Sequence, residues 1–177
     1  GVIGGSSKKL LEVQIDGASA TFSAAVTATT IDVNATTTFS STTAATNMTV
    51  DADTTFTGAV TASTAFTVDT SAEVTLSAAS DLSLGTVTTG TITSSALLTT
   101  SDLVNTAGKV YLEVKDNEMG AGKYTAGDGA ELHIGKAFVT TDNIYSSDDS
   151  AGEGDFNSGS KIYLPSNLTS GETLTIT

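Results

Sequence analysis

Residues 35–51 read ATTTFSSTTAATNMTVD, and the same pattern stands immediately before and after them. The neighbouring segments are ASATFSAAVTATTIDVN from Ala18, ADTTFTGAVTASTAFTVD from Ala52 and TSAEVTLSAASDLSLG from Thr70. Laid one under another, the four bring Phe22, Phe39, Phe56 and Val74 into one apolar column. Ile31, Met48, Phe66 and Leu82 form a second, and Val33, Val50, Val68 and Leu84 a third. A polar column of Asp32, Thr49, Thr67 and Ser83 separates the last two, so each unit alternates apolar, polar, apolar. A period of two belongs to a strand, whose successive side chains face opposite ways.

A unit of about seventeen residues cannot bury its apolar face alone and must stack on its neighbours. An antiparallel β-sandwich built of hairpins would place Asn-Gly, Asp-Gly or another glycine pair at its reversals. From Ala18 to Leu84, however, the one glycine is Gly58. A β-solenoid, with one coil per unit and equivalent residues about 4.8 Å apart, needs fewer sharp reversals and explains why like residues recur in columns. The predicted fold is therefore all-β. A solenoid-like repeat region spans residues 18–105, after an N-terminal strand and assembly segment, 1–17, and before a smaller β-rich unit, 106–177. Phenylalanine, isoleucine and valine are expected inside, with outer ladders of threonine and serine such as Thr21, Thr38 and Thr55. The boundary near residue 106 rests on composition, because no lysine occurs between Lys9 and Lys109. Beyond it, 109–116, 131–139, 161–164 and 172–177 read as strands joined by glycine- and acid-rich loops.

The 177 residues carry seven basic side chains, all lysine, against twenty acidic ones, for a net charge of −13. Phosphate backbones are held by clustered Lys and Arg, so nucleic acid is not an expected partner. No stretch reaches the roughly 18 apolar residues of a membrane-spanning helix. The start at Gly1 lacks the charged and apolar regions of a signal peptide and reads as that of a mature, processed chain. Cysteine, arginine and tryptophan are absent and His133 is the one histidine, so most general-base, metal and phosphate-clamp constellations cannot be assembled. The chain is read as a non-enzyme. Alternation puts His133 opposite Leu132 and Ile134, on an exposed strand face.

Four sets of residues are candidates for more than scaffolding. Asp148, Asp149, Glu153 and Asp155 gather enough oxygen ligands in one loop for calcium, although the spacing matches no EF-hand; no other cofactor is expected. Asn34, Asp51 and Asp69 end successive units, and stacked carboxylates there must either splay into water or share a cation. Asn34, Asn47 and Asn167 open Asn-x-Thr sequons and are glycosylation candidates. At the two ends of the chain, Leu11, Val13 and Ile15 alternate on one strand, and Leu174 and Ile176 on another. Such terminal strands expose backbone groups for assembly by strand addition.

The column pattern TF…I/M/F-x-V-D/N over residues 18–105 resembles, at the level of class, the Thr/Ser/Ala-rich β repeats of bacterial and archaeal surface adhesins, filament subunits and phage tail fibres. That resemblance implies an extracellular or cell-surface location, or a virion, and cooperative stacking; it carries no functional residue across. The expected function is that of a self-assembling structural subunit of an extracellular filament or surface fibre, with copies of itself as the main partner. A phage or virus fibre protein is the alternative. A further one is an ice- or glycan-binding module that uses the Thr and Ser ladders, with glycans or a cell surface as partner.

Overall fold

A computed structural model describes residues 1–5, 7–69, 71–96, 98–112, 124–134, 139–140, 144–146, 161–163 and 175–176. In chain order its strands are β1 (Leu10–Ile15), β2 (Ala20–Phe22), β3 (Val26–Val33), β4 (Thr37–Phe39), β5 (Thr43–Val50) and β6 (Thr54–Phe56). There follow β7 (Val60–Val68), β8 (Glu73–Leu76), β9 (Ser80–Val87), β10 (Thr91–Ser94), β11 (Leu98–Asn105) and β12 (Lys109–Leu112). The last are β13 (Tyr124–Ala126), β14 (Glu131–Ile134), β15 (Val139–Thr140), β16 (Ile144–Ser146), β17 (Lys161–Tyr163) and β18 (Thr175–Ile176).

Every pairing among the described residues is parallel, as coils of one hand wound on each other require. The long strands make one sheet in the order β1-β3-β5-β7-β9-β11-β13-β16, and the short ones a second, β17-β14-β12-β10-β8-β6-β4-β2. Together these sheets, of eight strands each among the described residues, form a β-solenoid, so the hairpin sandwich is excluded. The ladders run without interruption across residue 106, since β10 pairs with β12 and β11 with β13. The change of composition there coincides with a corner. In it Asn105, buried, accepts from the Gly108 N–H at 2.8 Å and donates to the carbonyls of Gly108 and Glu131, each at 3.1 Å.

The long strands β3, β5, β7 and β9 each also turn a corner of their own. In β3 the buried residues are Val26 and Ala28, then Ile31 and Val33, with Thr29 and Thr30 consecutively half-buried between them. This slip in the alternation presents two inward runs at different angles, so one coil has three inward faces when the short strand is added. Inside, Phe22, Phe39 and Phe56 lie directly over one another, ring centroids 4.9 Å apart and planes within 10° and 4° of parallel. The valine column Val33, Val50, Val68 and Val87 is wholly buried.

The first three repeats stack in the register read from the sequence: Phe22↔Phe39↔Phe56, Ile31↔Met48↔Phe66 and Val33↔Val50↔Val68. The fourth does not. Leu76, not Val74, follows Phe56; Gly85, not Leu82, follows Phe66; and Val87, not Leu84, follows Val68. Leu84 is consequently exposed. Extra residues at the corner after Ala62, where the β7–β9 register shifts, and in the turn between Val68 and Glu73 lengthen this coil. A fixed repeat length carries the alignment past them.

The threonines divide between inside and outside. Thr38 and Thr55 lie on the outer face, while Thr37, Thr43 and Thr54 are buried. Thr37 and Thr54 donate their hydroxyls to the carbonyls of Ala35 and Ala52, at 2.6 and 2.8 Å, and so enter an apolar interior already satisfied. Gly58, the lone glycine of the early repeats, sits where an added Cβ would lie 2.3 Å from the Ser41 carbonyl carbon, so the coils touch backbone to backbone at that corner.

Candidate functional site

Three outer features of the coil could act on something else: its N-terminal end, the acidic corner and a ladder of rings and charges on the later coils. At the N-terminal end β1 and β2 are the outermost strands of the two sheets. Ile3 continues the β1 rung toward the start of β3 by bridging Val26, with hydrogen bonds from its N–H to the Ala25 carbonyl at 2.9 Å and from the Thr27 N–H to its own carbonyl at 2.8 Å. Val13 and Ile15 face the interior, as the alternation predicts. Leu11 does not share their face. It falls at the corner, where the alternation slips, and is 82% exposed, with Val2 66% exposed nearby. Phe22, the last ring of the stack, is half-buried beside a hollow of about 500 Å³ lined by Gly1, Ile3, Thr21, Phe22, Ser23 and Ala24.

The acidic corner is a true column, because Asn34, Asp51 and Asp69 each donate a backbone N–H to the last valine or isoleucine of the preceding coil. The Asn34 amide also donates to the Asp16 carboxylate at 2.9 Å. Burial, together with the negative charges of Asp69 and Asp32, raises the Asp51 pKa above the ordinary carboxylate value. Asn34 and Asn47, the first two sequon asparagines, are exposed. Asn167 lies outside the described residues, as do Leu174 and the calcium candidates Asp148, Asp149, Glu153 and Asp155. Among the described residues no three His, Asp or Glu side chains gather as a metal site. Nor is any helix there long and apolar enough to cross a membrane. Ile176 belongs to β18, which pairs with β15 of the same chain in a separate two-stranded sheet.

The third feature was not foreseen as a unit. On the outer face of the second sheet the register Thr21↔Thr38↔Thr55↔Thr75↔Thr93 continues as Tyr111↔His133↔Tyr163. A threonine ladder thus becomes an aromatic one. The His133 ring is sandwiched at 4.2 Å from Tyr111 and 4.1 Å from Tyr163, half-buried rather than exposed. Two residues earlier, Lys109, Glu131 and Lys161 stack in one column, with Lys Nζ to carboxylate distances of 3.6 and 3.9 Å. The His133 Nε2 lies 3.1 Å from the same carboxylate. Its hydrogen bond to His133, reinforced by the two lysines, holds the Glu131 pKa below the ordinary value. The signal available in sequence was the spacing K-x-Y, E-x-H and K-x-Y at 109, 131 and 161. It is readable only once unequal coil lengths of 22 and 30 residues are allowed.

No family profile, curated protein or solved structure matches this chain.

Proposed function

We propose that the protein is a structural subunit of an extracellular filament or surface fibre, assembling through its open sheet edges. The observation that carries this reading is the N-terminal end of the solenoid. There two parallel sheets end on strands with no partner along their outer edges among the described residues, beside a half-buried phenylalanine and exposed Val2 and Leu11. Unpaired strand edges recruit further strands unless blunted by proline, inward charge or a covering element. Apolar area removed from water on such docking contributes about 25 cal/mol per Å². The low charge of the repeat region and its lack of lysine suit a stacked, protease-resistant fibre outside the cell, and a virion fibre would rest on the same physics. Sedimentation and negative-stain microscopy of concentrated native protein test the reading. Fibres or long oligomers are the expected result, and a monodisperse monomer at every concentration would overturn it.

One observation favours a second reading, the five stacked threonines from Thr21 to Thr93, whose hydroxyls form a regular outer row suited to ice or a glycan. The adjacent outer column, however, contains Asp53 and Glu73, which break the uniformity such a surface needs. Ice-growth and glycan-array assays of the wild type against Thr38→Tyr separate this reading from the first.

A further inference from the structure

The outer face of the second sheet changes character partway along its length. Its middle column is Thr21, Thr38, Thr55, Thr75 and Thr93 over the first rungs, then Tyr111, His133 and Tyr163. A low row of hydroxyls and methyls is thus followed by a raised row of rings. The neighbouring outer column changes charge at the same place, from Asp53 and Glu73 through Thr91 to Lys109, Glu131 and Lys161. The Glu73 N–H donates to the Asp53 carboxylate at 3.0 Å, which ties the two acids into one column, and both are exposed. In the later segment the Glu131 side chain is 17% exposed and is spent on Lys109, Lys161 and His133. The two lysines are 52% and 58% exposed, so the charges this segment offers outward are ammonium groups.

Both gradients make the face complementary to itself when it is turned end for end. We propose that two copies of this chain pair antiparallel through the outer face of the second sheet, about a two-fold axis that passes between the Thr93 and Tyr111 rungs. Turned so, Tyr111, His133 and Tyr163 of one copy lie over Thr93, Thr75 and Thr55 of the other, and the converse holds across the axis. High ground meets low along the whole contact, and the phenol and imidazole edges meet threonine hydroxyls with which they can exchange hydrogen bonds. Copies running in the same direction would set rings on rings and hold the threonine rows apart. Charge selects the same orientation. Lys161 of one copy falls opposite Asp53 of the other, and Glu73, at the Glu131 rung, is flanked by Lys109 and Lys161. In the same-direction arrangement Lys109 would stand two rungs from Glu73 of the other copy. About six rungs overlap, on the order of 500 Å² per copy, which is below the size of a permanent interface and makes the pairing reversible and salt-dependent. This surface is separate from the sheet edges of the filament reading, and neither depends on the other.

Charge exchange and a single thiol test the pairing. Lys109→Glu/Lys161→Glu makes the face acidic over its whole length, and Asp53→Lys/Glu73→Lys makes it basic. In sedimentation at low salt the wild type should pair. Each variant should pair with its own kind about tenfold or more weakly, and an equimolar mixture of the two should recover pairing, which also shows that both are folded. The chain has no cysteine, so an introduced thiol reports its own mate without any change of charge. Thr93→Cys, beside the axis, should cross-link to itself through a short bismaleimide with a yield that rises with concentration. Thr21→Cys, outside the overlap, should not. Thr21→Cys linked to itself, Thr93→Cys left unlinked, either charge variant pairing as the wild type does, or a mixture of folded variants that fails to recover would each overturn the proposal. Wild-type fibres in which Thr93→Cys stays unlinked would overturn the face pairing and leave the filament reading in place.

Discussion

The first coils and the last ones solve the same problem with different chemistry. From Phe22 to Val68 the coils are nearly equal in length, stack identical rings in the interior and present hydroxyls and carboxylates outside. From Lys109 to Tyr163 the coils are of unequal length, and the outer face carries a salt-bridged lysine–glutamate column beside a Tyr-His-Tyr stack. Regular repeats place like beside like. That suits phenylalanine and valine, whose columns gain from every added rung, and penalises aspartate: the Asp51 pKa is raised first by burial and then by the charges of Asp69 and Asp32. Irregular coils free the outer columns to alternate charge and to set His133 beside Glu131, whose pKa is lowered first by the hydrogen bond to His133 and then by the flanking lysines.

The largest effect should come from the interior of the regular half. Phe39→Ala removes the wholly buried middle ring of a three-ring stack and should cost about 3–5 kcal/mol, read as a lowered thermal midpoint. Tyr111→Ala, at the partly open end of the outer stack, should cost about 1 kcal/mol, near the value of one aromatic pair. If the two losses were equal, the distinction between inner and outer ladders would fail.

Charge gives a sharper separation, because the two halves respond to pH with opposite sign. Glu131 has a lowered pKa in the folded state. Its stabilising contribution is present above the ordinary carboxylate range and is lost as the pH falls through that lowered value. Asp51 has a raised one, so the folded state binds its proton more readily than the unfolded chain, and this group adds stability as the pH falls. Hydrogen exchange followed from pH 7 to pH 3 should therefore show loosening of the β12–β14 amides that Glu131→Gln abolishes. Asp51→Asn should protect the β3–β7 amides at neutral pH and flatten their pH response. The same sign at both sites would contradict the electrostatic assignment. The smallest effect is expected at Thr54→Val. The lost hydroxyl served only its local carbonyl, and the next residue in that column is Val74, so stability should change by no more than about 1 kcal/mol.

The parallel solenoid was legible in residues 18–68 because a nearly constant coil length turns structure into sequence columns: Thr-Phe recurs at 21, 38 and 55, and an apolar-x-Val triplet at 31, 48 and 66, with one added residue before the last. Legibility failed at Val74, Leu82 and Leu84 for a mechanical reason. Corners of a coil accept extra residues that leave the stacked faces aligned, and an insertion is invisible to a fixed-period reading. The corner slip that exposes Leu11 was likewise hidden, since strict alternation assumes a straight strand. The continuity of the ladders past residue 106 was masked by composition, because lysine and tyrosine on the outer face changed while Val110, Leu112 and Leu132 kept the interior the same. The ladder of Tyr111, His133 and Tyr163 needed register, which only the paired backbone supplies.

The most direct measurement is the axial rise per subunit in an assembled fibre, by cryo-electron microscopy or fibre diffraction. Among the described residues each sheet contributes eight rungs, which at about 4.8 Å each give an expected rise of about 38 Å with both sheets continuous across the junction. A rise that is not a whole number of rungs, or subunits packed side by side with their sheet ends apart, would contradict the account.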